Sequence, residues 1–167
     1  MSIFPQDIES LARKIVLEFT DRGHMLSTAE SCTGGLIAGA LTEISGSSAV
    51  VDRGFVTYTN DAKMDMLGVT SATLNGFGAV SKETALQMAH GALFRSRAHF
   101  SVAVTGIAGP GGGSAMKPVG LVHLAAKCRN GRFIHRDMRY GDIGRDAVRL
   151  ATVKTALDML IELSQSI

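Results

Sequence analysis

From Pro5 to Arg22, apolar residues recur at Ile8, Leu11, Ala12, Ile15 and Phe19, with charged residues between them. That spacing lays one apolar stripe along a helix, with Pro5 suited to its first turn and Gly23 to its stop. The pattern then changes. Met25 to Ala29 reads as a short strand, Leu36 to Ile44 as a helix, and Ala49 to Thr59, rich in Val, Phe, Thr and Tyr, as a second strand. Asn60 is expected to cap a helix from Asp61 to Leu67 that stops at Gly68, and Ser81 to cap another through about Arg95. Phe100 to Thr105 reads as a central strand. Val119 to Lys127 and Arg132 to Tyr140 flank Asn130-Gly131, a hairpin signal. Gly141 to Leu163 closes the chain as a helix, with Val148, Ala151, Thr155, Leu160 and Leu163 near one face.

This order predicts an α/β fold: a three-layer α/β/α sandwich around a mixed sheet, with a C-terminal hairpin and a closing helix. The chain has 167 residues and no repeat, low-complexity run or linker, so residues 1–167 are expected to form one domain. Hydrophobic residues at 46% and charged residues at 19% exclude a disordered chain. A net charge of +2 gives no general case for nucleic acid or an anionic membrane, and the absence of Trp weakens base stacking. A mean hydropathy of +0.19 raises the question of a membrane span. The stretch from Ala98 to Met116 lacks Asp, Glu, Lys and Arg, but its glycines and Pro110 suit a strand and loop instead. Asp7 and Glu9 stand where a signal peptide needs a basic start. Cys32 and Cys128 form no CxxC pair. A soluble, cytoplasmic protein is expected.

Three segments and one arginine pair carry candidate chemistry. In Thr28-Ala29-Glu30-Ser31-Cys32-Thr33-Gly34-Gly35, a strand meets a helix start, so a hydroxyl sits beside unpaired amides and the positive end of a helix dipole. Ser31 could attack an acyl carbon there, with those amides stabilising the oxyanion; the plainer alternative is an ordinary helix cap at Ser31 or Thr33, and Cys32 is a rival nucleophile. In Tyr58-Thr59-Asn60-Asp61-Ala62-Lys63, a buried lysine could serve as the base, because no histidine lies in a nucleophile-elbow pattern. A core-edge tyrosine and a solvated lysine are the alternative. The third segment, Thr105-Gly106-Ile107-Ala108-Gly109-Pro110-Gly111-Gly112-Gly113, exposes amides that could cradle a phosphate or carboxylate, or is a mobile connector. It is neither a Walker loop nor a dinucleotide fingerprint. Arg145 and Arg149 share a helix face and could grip a phosphate, or pair with Asp142 and Asp146 on a solvated face. No metal-ligand spacing is present.

Together these segments resemble the CinA C-terminal domain family, whose enzymatic members are nicotinamide-nucleotide amidohydrolases. The resemblance rests on TAESCTGG at 28–35, GSSAVVDRGFVTYTNDAK at 46–63, GAVSKETA at 78–85 and AVTGIAGPGGG at 103–113, and continues through KPVGLVHLA and RDAVRLATVKTALDML. It implies an α/β/α sandwich, usually oligomeric, that hydrolyses the carboxamide of nicotinamide mononucleotide without metal or cofactor. By the resemblance, Ser31 would be the nucleophile, Lys63 the base and Tyr58 its proton-relay partner. Thr33, Gly34 and Gly35 would supply oxyanion donors and close backbone approach, while Thr105, Gly106, Gly109 and Arg145 would contact the nucleotide. A small-molecule nucleotide and a second copy of the chain are the implied partners. The alternative is a pyridine-nucleotide-binding regulatory module that does no chemistry.

Overall fold

In the computed structural model, which describes residues 1–167, the amphipathic N-terminal stripe forms helix α1 (Gln6–Arg22), ended by Gly23 in the left-handed conformation. There follow β1 (Leu26–Glu30), α2 (Leu36–Thr42), β2 (Val51–Val56), α3 (Asn60–Leu67), α4 (Ser71–Phe77) and α5 (Lys82–Phe94). The chain continues through β3 (Phe100–Gly106), β4 (Leu121–Cys128), β5 (Phe133–Arg139) and α6 (Arg145–Gln165). The strands form one mixed sheet in the order β2-β1-β3-β4-β5. Strand β1 is parallel to both β2 and β3, whereas β4 and β5 run antiparallel to their neighbours. The carboxyl ends of β1, β2 and β3 therefore emerge along one edge of the sheet, where α/β folds characteristically place a site.

Helices cover both faces, and the two faces differ in residue size. On one, Phe100, Val102 and Val104 of β3 and Val122 and Leu124 of β4 pack against Ile15 and Phe19 of α1 and Leu157 and Leu160 of α6. Each such large side chain contributes about 1.5–3 kcal/mol when fully buried. On the other face, Ala29, Ala103 and Ala125 meet Ala85, Met88, Ala89 and Ala92 of α5. Small residues let α5 lie close to the sheet. Two strand hydroxyls then bond to its backbone: Ser101 Oγ donates to the Ala89 carbonyl at 2.7 Å and Ser27 Oγ to Ala92 at 3.2 Å. No helix is long and apolar enough to cross a membrane.

The predicted elements need three adjustments. Helix α4 was not expected: within Ser71–Phe77 only Thr73 and Leu74 are buried, so the segment carries no apolar period, and its start is fixed by Thr70 Oγ1 accepting from the Thr73 amide. Asn60 is not the cap of α3. Thr59 is, its hydroxyl accepting from the Ala62 amide at 3.0 Å, which frees Asn60 to face the site as the first helical residue. Helix α6 begins at Arg145 rather than Gly141, because Gly141 (φ +86°) and Gly144 (φ +102°) keep the preceding loop out of helical geometry.

Candidate active site

The three parallel strand ends surround a cavity of about 270 Å³. Ser31 follows β1, Tyr58, Asn60 and Lys63 follow β2, Thr105 and Gly106 end β3, and Ile107, Ala108, Gly109, Gly111 and Gly112 come after it; Ala79 and Val80, Cys32 and Arg145 complete the lining. Lys63 is 1% exposed, and its Nζ reaches three oxygens: Ser31 Oγ at 3.0 Å, the Thr57 carbonyl at 2.9 Å and the Tyr58 carbonyl at 3.3 Å. It forms no ion pair. Burial lowers its pKa from the ordinary 10.5, because the ammonium loses its hydration without gaining a carboxylate. Nζ donates to all three oxygens, which match the three N–H groups of the ammonium; loss of one proton would leave two N–H groups for the carbonyls and turn a lone pair to the Ser31 hydroxyl. Ser31 itself is 8% exposed, at the floor of the cavity.

The turn that presents Ser31 is held by two charged residues, Glu30 and Arg149, to which the sequence patterns assigned no such role. Glu30, fully buried, accepts from Thr33 Oγ1 at 2.7 Å and from the Ile37 and Ala38 amides at 2.8 and 3.0 Å. It thereby satisfies the first turn of α2, which has no other side-chain cap. From α6, Arg149 donates to the Cys32 and Thr33 carbonyls at 3.1 and 3.2 Å. A trans peptide directs its N–H opposite its C=O, so fixing the Cys32 carbonyl also fixes the Thr33 amide, pointed away from Arg149. The Cys32 and Thr33 amides donate to no acceptor in the chain, whereas the Gly34 amide donates to the Ser31 carbonyl.

Several expectations shift on this geometry. Thr33, Gly34 and Gly35 do not line the cavity. Thr33 is buried with its hydroxyl on Glu30, and Gly34 and Gly35 (φ +58° and +103°) make the left-handed bend that leads into α2. The Gly34 amide is engaged and so unsuited to an oxyanion. Tyr58 is not placed as a relay: its phenol accepts from Arg145 Nη2 at 2.7 Å and bonds neither Ser31 nor Lys63, while its carbonyl holds the amine. Arg149 is spent on the Ser31 turn, and neither arginine pairs with Asp142 or Asp146. Burial pushes the Cys32 thiol up to about 11, which disfavours the thiolate nucleophile.

On the opposite wall, Thr105 Oγ1 donates to the Ala79 carbonyl at 2.8 Å, tying the β3 end to the loop before α5. Gly106 leaves the sheet against β4 so closely that a Cβ would stand 2.8 Å from the Leu121 carbonyl. Arg145 Nη1 donates to the Gly109 carbonyl at 2.8 Å, so one guanidinium joins the glycine loop to Tyr58. The amides of Ala108, Gly109, Gly111 and Gly112 bond nothing in the chain and border the cavity. No histidine lines it, and no cluster of three or more His, Cys, Asp or Glu side chains stands ready for a metal ion. Asn60, Ala79 and Val80 join the site unannounced by any motif chemistry; only their position beside the strand ends could have suggested them.

Comparison with known proteins gives the same set of segments a family. The CinA C-terminal domain model matches residues 8–164. A nicotinamide-nucleotide amidohydrolase PncC of Enterobacter agglomerans is 46% identical over 93% of this chain and 96% of its own length. The PncC of Escherichia coli strain K12 is 46% identical over 92% and 93%. The chain spans only 38% of longer relatives such as the CinA-like protein of Geotalea daltonii, at 47% identity. Among solved structures, a competence/damage inducible protein CihA from Agrobacterium tumefaciens is 77% identical with a TM-score of 0.98, covering 98% of this chain and 99% of that one. A CinA superfamily protein from Escherichia coli is 35% identical with a TM-score of 0.89, over 98% and 94%. The chain belongs to the CinA C-terminal domain family.

Proposed function

We propose that this protein is an amidohydrolase that converts nicotinamide mononucleotide to nicotinate mononucleotide and ammonia, with Ser31 as nucleophile and Lys63 as base. The observation that carries the reading is the 3.0 Å contact between Ser31 Oγ and a buried Lys63 amine that has no acidic partner. The PncC relatives, named as nicotinamide-nucleotide amidohydrolases over nearly their whole length, support the substrate class.

In this mechanism the Lys63 lone pair takes the hydroxyl proton as Ser31 Oγ bonds to the carboxamide carbon. The carbonyl oxygen becomes an oxyanion, for which the unengaged amide of Cys32, a residue that lines the cavity, is the available donor. The Lys63 ammonium returns the proton to the departing nitrogen, the C–N bond breaks, and ammonia leaves an acyl ester on Ser31. Water then attacks that ester with Lys63 again accepting the proton, and Ser31 is regenerated. The glycine-loop amides and the remaining N–H groups of Arg145 offer the anion site for the phosphate. Tyr58 and Asn60 border the intervening space.

Ammonia release from nicotinamide mononucleotide by the wild type and by folded Ser31→Ala tests this. The wild type turns over, and the variant falls by at least about 10³-fold. Binding of the nucleotide without ammonia release would point instead to the regulatory module.

A further inference from the structure

Both halves of the proposed reaction move a proton beside the Ser31 acyl carbon, and the cavity holds few groups able to move one. No Asp, Glu or His lines it. Glu30, next to Ser31 in the chain, is fully buried, with its carboxylate spent on Thr33 and on the Ile37 and Ala38 amides. Burial pushes the Cys32 thiol up to about 11, and the Tyr58 phenol oxygen is held by Arg145 at 2.7 Å. That leaves the Lys63 amine. The Thr57 and Tyr58 carbonyls fix its Nζ from one side, and Ser31 Oγ stands on the other. One base in one orientation must therefore give a proton to the departing ammonia and take one from the next nucleophile. The second nucleophile arrives where the ammonia left.

Building on the amidohydrolase reading, we propose that the chain is also an acyltransferase, passing the acyl group on Ser31 to small uncharged nitrogen nucleophiles such as ammonia and hydroxylamine as well as to water. The step balances without a further reagent. The nitrogen lone pair bonds to the ester carbonyl carbon, and one N–H proton passes to the Lys63 amine. The tetrahedral intermediate then expels Ser31 Oγ, which takes that proton back from Lys63. An amide or a hydroxamate departs and the free enzyme remains. With ammonia, this is the acylation half run in reverse. The geometry also limits the acceptor. It must carry a lone pair and a removable proton on one atom, which admits water, ammonia and hydroxylamine and excludes carboxylates and tertiary amines. Protonated amines are excluded as well: they have no free lone pair, and they would meet Lys63 and Arg145 in a lining that offers no carboxylate. A cavity of about 270 Å³ that must also hold the nucleotide restricts the acceptor to a few atoms.

Turnover of nicotinamide mononucleotide by the wild type in hydroxylamine tests this, with nicotinate mononucleotide, its hydroxamate and ammonia each measured. The hydroxamate is expected, its ratio to the acid doubling with each doubling of hydroxylamine. Folded Ser31→Ala forms it at least about 10³-fold more slowly. Because one base serves both acceptors, the ratio stays constant with pH wherever hydroxylamine is uncharged, while total turnover climbs. In isotopically labelled ammonium, label enters the unreacted nicotinamide mononucleotide, and does so faster as pH rises and ammonia replaces ammonium. Ammonia release accompanied by neither hydroxamate nor label in the substrate overturns the acyl transfer and leaves the hydrolase standing. A product ratio that changes with pH in that range overturns the shared base. A folded wild type that releases no ammonia from the nucleotide removes both readings together.

Discussion

In the proposed mechanism the chemistry turns on Lys63, whose environment sets a pH dependence with a definite sign. Because burial lowers its folded-state pKa below 10.5, the active neutral amine gains population as pH rises, so kcat/KM should climb with pH and level off once Nζ has lost its proton. The same shift links to stability. Between the folded and unfolded pKa values the unfolded chain binds more protons, so folding is favoured increasingly as pH rises through that window. A series of denaturant unfolding curves would show the wild type gaining stability relative to Lys63→Met toward pH 10.5, and the variant losing turnover at every pH. A kcat/KM that nowhere rises with pH below 10.5 would count against a lysine base. The sequence offered Ser31 and Lys63 near strand ends and Arg145 on a helix face because hydroxyl, amine and guanidinium groups carry recognisable chemistry, and Thr105 through the glycine loop and the family resemblance. It could not offer the phenol of Tyr58 turned toward Arg145 while its carbonyl holds Lys63. That orientation follows from how the chain leaves β2, which no side-chain pattern encodes.

At the scale of elements, the Ser31 turn depends on partners from α2 and α6 that are remote from it in sequence or lie beneath it. Removing Arg149, as in Arg149→Met, releases the Cys32 and Thr33 carbonyls and with them the direction of the Thr33 amide. Steady-state kinetics should show kcat reduced by roughly 10²-fold with KM little changed, since the geometry of the reacting centre suffers rather than nucleotide binding. Glu30→Ala should act on stability instead. It leaves the Ile37 and Ala38 amides and the Thr33 hydroxyl without their acceptor. The expected cost is about 2 kcal/mol or more, visible as a fall in Tm of roughly 4–8 °C. Both residues sat in plain view in the sequence. Glu30 carries no signal beyond an acidic residue at a strand end, and Arg149 looks like a solvated turn-to-turn neighbour of Arg145 until α6 is docked. Helix α4 escaped for a related reason: one Thr-Leu pair is too little buried surface to show as periodicity.

Across the whole molecule, the alternation of large and small sheet faces sets the spacing of the layers and therefore of the site. The α/β class, the C-terminal hairpin and the closing helix were legible because their hydrophobic periods are long and their turns carry glycine. The pairing order β2-β1-β3-β4-β5 was not, since the periods of isolated strands do not say which strands adjoin. Ala103 illustrates the consequence. It is fully buried at the centre of the α5 face, and Ala103→Leu should cost about 1–3 kcal/mol by pushing α5 off the sheet, a loss that chemical denaturation would measure. The account as a whole rests on one covalent step, which can be observed directly. Wild-type protein quenched during turnover of nicotinamide mononucleotide, digested and weighed by mass spectrometry, should carry one nicotinate-mononucleotide acyl group on the peptide containing Ser31, at the serine itself. An adduct on Cys32, or unimpaired ammonia release by Ser31→Ala with no adduct at all, would contradict it.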